Sequence, residues 1–491
     1  MHRQARDHRD RPFLEDAETG HVLTYGRFAG LARQVRAALD AAVPAGARVL
    51  VDIADPIDFS VAYLGVIAAG RCAVPVNPQA PLAELERTVT ATRPAAAAGD
   101  RSERIRSLGL TAVAGIPRVL GGRGIPAAAR AGGGGGGTPP PGSVLLLTSG
   151  STGEPKAVEL TEDRLLHVAR AVAGHNRLTR ADRGFSPLPL FHINAQVVAL
   201  LATLTAGATL LVDRRFRRHG FWETMVQQDV TWINAVPAIL TILAGYPVPV
   251  RPARLRFIRS ASAPLPAAVR RQIEAQAGAP VVESYGMTEA ASQITATPLD
   301  GSAPDGSCGR AVGAYVQVRD AAGRPVPAGT TGRIWIRGAG VIDGYAEGRA
   351  ADRFDDRGWL DTRDNGHLDA SGFLFLAGRS DDVINRGGEM LYPREIEEVL
   401  IADPAVRDAV VVGRLDEILG QVPVAYVIPA REPASAEALQ QLLDRLTARC
   451  AGHLSRYKRP EAIYAVAELP RGHTGKIQRR RVSQMATAPA A

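Results

Sequence analysis

The apolar positions of this chain change their spacing twice, and the changes divide it into three stretches. From Thr24 to about Tyr285, short apolar runs alternate with segments whose apolar residues recur every three to four positions. That alternation predicts strands feeding helices, and hence parallel sheets with ligand loops at the strand ends. Thr24 is placed to cap a helix running through Phe28, Leu31, Val35 and Leu39. Strands are expected at Arg48–Ile53, Ala73–Asn77, Val144–Leu147, Thr209–Val212, Thr231–Ala235, Arg256–Arg259 and Pro280–Ser284. Helices are expected at Phe59–Gly70, Leu165–Ala173, Val197–Thr205, Pro237–Leu243 and Pro266–Ala277.

Past Met287 the runs shorten. Tyr315–Asp320, Gly332–Arg337 and Gly372–Ala377 read as strands between Gly and Pro turns, a β-rich subdomain at about 290–378. From about Arg379 the pattern is mixed. A helix is expected at Pro393–Ala402, strands at Ala409–Val412 and Pro423–Ile428, and a helix at Ala436–Ala451. The polar joint Gly378–Asp382 marks a boundary between an α/β domain, 1–378, and a small α+β domain, 379–491. No internal repeat is present.

Composition narrows the class. At 491 residues the chain is too long for a single core, and 46% hydrophobic with 22% charged residues is the balance of a soluble globular protein. No apolar run reaches the length of a membrane span, and the opening MHRQARDHRDRPF is polar, unlike a signal peptide. A cytoplasmic enzyme is the default expectation. Cys72, Cys308 and Cys450 are too scattered for a disulfide framework or a zinc site. The net charge of +8 suits anionic ligands such as nucleotides, though an arginine-rich composition alone explains it equally. The cluster Arg214-Arg215-Phe216-Arg217-Arg218-His219 lacks the interleaved aromatics of a nucleic-acid surface and reads first as a solvated face.

The chemistry centres on Leu145–Leu160, LLLTSGSTGEPKAVEL. An aliphatic strand leads into the small residues Thr148–Gly153, whose free backbone N–H groups and hydroxyls can converge on an anion. Lys156 then supplies a cation after Pro155. Strand, small-residue loop and lysine make a polyphosphate holder. A P-loop is disfavoured, because Pro155 and Ala157 stand where that motif needs Gly and Ser or Thr. A flexible linker suits the preceding AGGGGGGTPPPG better.

Several further motifs follow in order: PLFHIN (Pro189–Asn194), SASAPL (Ser260–Leu265), ESYGMTE (Glu283–Glu289), WLDTRDNG (Trp359–Gly366), GRSDD (Gly378–Asp382), NRGGE (Asn385–Glu389) and TGKI (Thr474–Ile477). Together with the phosphate loop they resemble the acyl-adenylate-forming superfamily of acyl-CoA synthetases, adenylation domains and beetle luciferases, from about Thr24 to Arg480. The resemblance implies an ATP-dependent carboxylic acid–CoA ligase. Such an enzyme forms an acyl-AMP with loss of pyrophosphate, then passes the acyl group to a thiol.

The resemblance also implies roles, residue by residue. Thr148, Ser149, Gly150, Ser151, Thr152, Gly153 and Lys156 would hold the phosphates of ATP. Ser262, Ala263, Glu283, Ser284, Tyr285 and Gly286 would surround adenine. Asp364 and Arg379 would meet the ribose, Thr288 the α-phosphate, and Glu289 a Mg²⁺ ion. One carboxylate plus phosphate oxygens is a usual arrangement for that hard cation. His192 would gate or orient the acid, with Ile193, Asn194, Ser262, Ser292 and Gln293 lining the acyl pocket. Asp381 is the implied hinge of a mobile C-terminal domain, Gly387 and Gly388 face a thiol tunnel, and Lys476 is the catalytic ammonium.

Coenzyme A is the implied thiol, and a carrier-protein phosphopantetheine is the second candidate. The arginine cluster is then an alternative landing place for coenzyme phosphates or an acidic carrier. Two positions depart from the family pattern: Arg363 stands where Gly is usual, and Arg333 where Glu is frequent. They keep open a catalytically inactive nucleotide-binding homologue; a luciferase-like oxygenase is more remote. RSASAPL, INRGGE and GKIQRR look closest to oxalate- and short-acid-type synthetases. Asn194 and Ser292 replace imidazoles of those relatives, which points to a small or functionalised acid other than oxalate.

Overall fold

The aliphatic runs become strands buried on both faces, as parallel sheets require. The computed structural model describes residues 2–99, 102–114, 116, 141–148, 156–348, 351–386, 389–416, 419–472 and 477–487. Among these, the strands gather into four sheets. The largest runs Arg310–Ala311, Thr295–Ala296, Val281–Tyr285, Phe257–Ser260, Trp232–Ala235, Arg183–Ser186, Thr209–Val212, Pro12–Asp16, Val22–Thr24 in spatial order. Its middle is parallel from Val281–Tyr285 to Pro12–Asp16, and both margins are antiparallel. A second, mostly parallel sheet orders Ala96–Gly99, Arg48–Asp52, Cys72–Pro75, Ser143–Thr148 and Lys156–Thr161, the last pair antiparallel.

The expected helix ends hold where a cap is legible. Thr24 accepts a hydrogen bond from Arg27 N at 3.3 Å at the start of Tyr25–Ala42. The helix expected at Phe59–Gly70 is Pro56–Ala68 instead. Asp55 accepts from Ile57 N at 2.9 Å and Asp58 N at 3.0 Å, and proline takes the first position, where its missing N–H costs nothing. The helix expected at Val197–Thr205 is a π-helix, Ala195–Leu201, followed by a short α-helix, Ala202–Ala206. Gln196 on its first turn donates to Leu190 O at 2.9 Å and accepts from Tyr63 Oη at 3.0 Å, both buried, which ties the turn to neighbours rather than to itself.

Strands Pro12–Asp16, Ala96–Gly99 and Arg183–Ser186, and helices Leu82–Thr92 and Phe221–Gln227, were not expected. The run AAAG carries no β-branched residue, and burial between neighbours makes it a strand.

The β-rich stretch is an antiparallel sheet of Tyr315–Arg319, Gly332–Arg337, Leu360–Leu368 and Leu374–Arg379. Beyond it, Ile384–Arg386, Glu389–Leu391, Val406–Asp416, Gly420–Pro429 and Ala462–Ala465 form a separate sheet. The buried apolar clusters divide the same way. Those of the first part end at Leu374, and those of the second begin at Ile384. This is an α/β fold with a large parallel-sheet N-terminal part and a smaller C-terminal part.

Candidate active site

The phosphate-loop residues Ser149, Gly150, Ser151, Thr152 and Gly153 lie outside the described residues; their flanks do not. Ser143–Thr148 and Lys156–Thr161 pair antiparallel with Thr148 opposite Lys156, and Thr148 Oγ1 donates to Lys156 O at 3.2 Å. These strands pair as two antiparallel arms, and Lys156 opens the second of them, half-buried. Its ammonium stands 5.3 Å from the centroid of the Tyr345 ring. Burial, then the nearby Arg353 and Arg363, lower its pKa.

Tyr345 connects Lys156 to Glu289. The buried Glu289 Oε1 accepts from Tyr345 Oη at 2.7 Å and from Arg353 Nη1 at 3.1 Å. Arg353 also donates to Tyr345 Oη and, through Nε and Nη2, to Asp361 O. Among the described residues no group of three His, Cys, Asp or Glu could hold a metal by itself. Glu289 could serve a cation only as one ligand beside others such as phosphate oxygens, and in this structure its Oε1 is held by Tyr345 and Arg353. Neither Tyr345 nor Arg353 was singled out from the sequence; in a row of scattered arginines, only the fold shows which one meets Glu289.

Asp364 sits opposite Arg379 on adjacent strands, 3.9 Å from its Nε, and accepts from Tyr285 Oη at 2.5 Å. The three predicted nucleotide contacts are thus brought together. Burial, and then the facing Asp364 carboxylate, raise the Tyr285 phenol well above its ordinary value. Arg363 does adopt φ +61°, the conformation that favours glycine. Asp361 Oδ1 accepts from Arg363 N at 2.8 Å, and Asp361 Oδ2 from Arg333 Nη1 at 2.9 Å. The two departures from the family pattern therefore meet on one aspartate.

Glu283 and Ser284 lead into Tyr285 on one strand. Burial pushes Glu283 up to about 7, with Arg270, 3.7 Å away, pulling it back. Gly286 can carry no side chain, since a Cβ there would meet Ser292 O at 1.4 Å. Thr288 opens the short 3₁₀ turn that holds Glu289. On the acyl side, the His192 ring packs on Phe191 at 4.3 Å, Ile193 is half-buried against the core, and Asn194 Oδ1 accepts from Asn234 Nδ2 at 2.8 Å. Ser262 and Ser292 stand at φ +78° and +93°, with Ala291 at +48°. Such outliers concentrate where a surrounding structure holds a site in shape. Ala263, beside Ser262, is exposed.

Asp381 is exposed in a 3₁₀ turn, next to Asp382, which lies 3.4 Å from Arg479. Gly387, Gly388 and Lys476 lie outside the described residues. Half of the arginine cluster is matched from within. Arg214 pairs with Asp16, Glu18 and Asp55, and Arg217 with Asp213 and Glu18. Arg215 and Arg218 stay exposed, as the solvated-face reading expects.

The family model described as AMP-binding enzyme matches residues 1–346, and that of the AMP-binding enzyme C-terminal domain matches 395–476. The chain belongs to the AMP-binding enzyme family. Among its curated relatives, it is 36% identical over 484 residues to the sulfoacetate–CoA ligase of Cupriavidus necator, covering 96% of this chain and 94% of that protein. It is 32% identical over 485 residues to the oxalate–CoA ligase of Arabidopsis thaliana, covering 94% and 93%. Among solved structures it resembles ATP-bound MatB from Rhodopseudomonas palustris with a TM-score of 0.85 and 27% identity over 98% of both chains. The o-succinylbenzoate CoA synthetase of Bacillus subtilis, in complex with its acyl-adenylate, gives 0.81 and 26% over 98% of this chain and 97% of that one. Among the described residues no helix is long and apolar enough to cross a membrane.

Proposed function

We propose that this chain is an AMP-forming acid–CoA ligase. The observation that carries the reading is the meeting of Lys156, Tyr345, Glu289 and Arg353 beside the linked Tyr285, Asp364 and Arg379. A cation set next to a planar phenol and a ribose-competent carboxylate suits one nucleotide lying across both. Its relatives' names, CoA ligases for sulfoacetate and oxalate, support the same chemistry.

Phosphoryl transfer asks mainly for positioning and charge stabilisation. Lys156 and Arg353 draw the β- and γ-phosphates of ATP, and Thr288 lies at the α-phosphate. Asp364 and Arg379 orient the ribose. Glu289 would hold Mg²⁺, which when bound would neutralise phosphate charge. His192 and Asn194 orient the acid, and Lys476 stabilises the charge that develops as the carboxylate attacks. The domains divide at 378/379, and rotation about Asp381 replaces Lys476 with the Gly387–Gly388 loop for thiol attack. Coenzyme A is the acceptor in this reading, in the cytoplasm, with a carrier-protein phosphopantetheine as the alternative arm.

The test is acid-dependent exchange of labelled pyrophosphate into ATP, followed by thioester formation with coenzyme A and with a phosphopantetheinylated carrier. Exchange with one or more small acids, and thioester on coenzyme A, is expected. Absence of exchange across a broad acid panel would leave only a nucleotide-binding protein.

A further inference from the structure

Arg259 occupies the strand Phe257–Ser260, where its neighbours are apolar or small, and it is 0% exposed. Its guanidinium donates to neutral oxygens: Nη1 to Asn176 Oδ1 at 3.3 Å, and Nη2 to Ser284 Oγ at 2.9 Å and Gln293 Oε1 at 2.5 Å. Among the described residues no carboxylate pairs with it. The other buried arginines are each matched: Arg71 by Asp40 at 2.6 Å, Arg319 by Asp355 at 2.8 Å and Arg353 by Glu289 at 3.1 Å. A buried charge is ordinarily paired, so this exception asks for a partner.

Three orphaned donors gather at the guanidinium, while Asn234 Oδ1, on the strand in register with it, is a buried acceptor without a hydrogen-bond partner among the described residues. Arg259 Nε, Gln293 Nε2 and Asn176 Nδ2 are all buried N–H donors without a hydrogen-bond partner. The two amides are the ones whose oxygens already touch the guanidinium, so the spare donors cluster around it. Water could accept from donors, but it would leave the charge unmatched; an anion satisfies both. Burial brings the Arg259 pKa down to about 10, which still leaves it cationic at neutral pH. Burial lowers the pKa of the neighbouring His175; its bond to Thr297 O raises it, and Arg259 and Arg177 lower it further.

The location is the acyl side of the site. Gln293 follows Ser292, Ser284 precedes Tyr285, and Asn234, in register with Arg259 on the adjacent strand, holds Asn194. We propose that Arg259, with the Asn176 and Gln293 amides, binds a second anionic group on the acid substrate and so selects small dianionic acids. The class is a short chain with a carboxylate or sulfonate at the far end from the carboxylate that is activated. This rests on the ligase reading and adds its substrate class. An acid with an uncharged tail would leave the guanidinium buried and unmatched, a strong form of rejection.

The experiment compares malonate, succinate and sulfoacetate with monomethyl malonate, monomethyl succinate and propionate in pyrophosphate exchange. The wild type is expected to favour each diacid over its uncharged-tail counterpart by about 100-fold or more in kcat/KM. In Arg259→Met that ratio is expected to collapse to about threefold or less, while Arg259→Lys keeps an intermediate preference. Calorimetric binding of MgATP to the same proteins checks that the variants are folded.

A wild-type ratio near one, or a ratio unchanged in a folded Arg259→Met, overturns the proposal and leaves the ligase reading standing. In that case Arg259 holds a structural anion or water. If Arg259→Met does not fold, the wild-type ratio decides alone. If no acid supports exchange, the ligase reading fails, and calorimetric binding of malonate against monomethyl malonate decides the anion site separately.

Discussion

Two residues show how a single side chain registers the fold around it. Arg363 holds φ +61°, where a Cβ crowds its own backbone. Arg363→Ala and Arg363→Gly both remove the side chain, so the difference between them isolates the strain. Arg363→Gly is expected to be the more stable by about 1 kcal/mol in thermal or urea unfolding; equal stability would refute the strain argument. Glu283 registers burial instead. Its folded-state pKa is raised to about 7, so the folded protein binds a proton that the unfolded chain has already released. Stability contributed by that proton is present at low pH and lost as pH rises from the ordinary carboxylate range through 7. Unfolding free energies measured across that window should decline in the wild type, and Glu283→Gln should flatten the decline.

Such residues also mark what the sequence discloses. Tyr285, Asp364 and Arg379 were legible as a group because their motifs carry them, and the fold brings them into contact. Arg353 and Arg259 were not. Both are charges whose meaning depends on a partner distant in the chain, although an arginine inside the apolar strand Phe257–Ser260 was a visible signal.

Among the elements, helix starts were readable where the cap preceded an amphipathic stripe and obscure where it preceded a continuous apolar run. Thr24 belongs to the first kind and Asp55 to the second. Their strengths also differ. Thr24 makes one 3.3 Å bond, whereas Asp55 accepts from two backbone N–H groups and pairs with Arg214 at 2.6 Å. Asp55→Ala is expected to cost about 2 kcal/mol and Thr24→Ala about 1 kcal/mol or less, read from chemical denaturation. The π-helix Ala195–Leu201 had no sequence signal, because its apolar run AQVVALL is buried throughout and carries no periodicity that separates a π from an α turn. Its first turn is tied to a neighbouring helix by the Tyr63–Gln196 hydrogen bond at 3.0 Å. Tyr63→Phe leaves a buried amide oxygen without that donor and should cost about 1–3 kcal/mol. Because this turn follows His192 and Asn194, the same variant should raise the KM for the acid more than that for ATP.

At the scale of the whole molecule, the apolar cores divide between Leu374 and Ile384, as the proposed rotation of one part against the other requires. The alternation of strands and helices anticipated this architecture. The antiparallel margins, decided by long-range pairing, were not anticipated. A polar tie reaches the joint: Arg479 lies 3.4 Å from Asp382 and 2.6 Å from Glu397. If the two half-reactions use different faces of the C-terminal part, they must separate under mutation. Lys476→Ala removes a charge needed only while the acyl–phosphate bond forms, so pyrophosphate exchange should fall by about 10²–10³-fold. The same variant, given a synthetic acyl-adenylate and coenzyme A, should form thioester at close to the wild-type rate. Equal losses in both assays would mean that Lys476 serves a single fixed site, and the rotation would have to be abandoned.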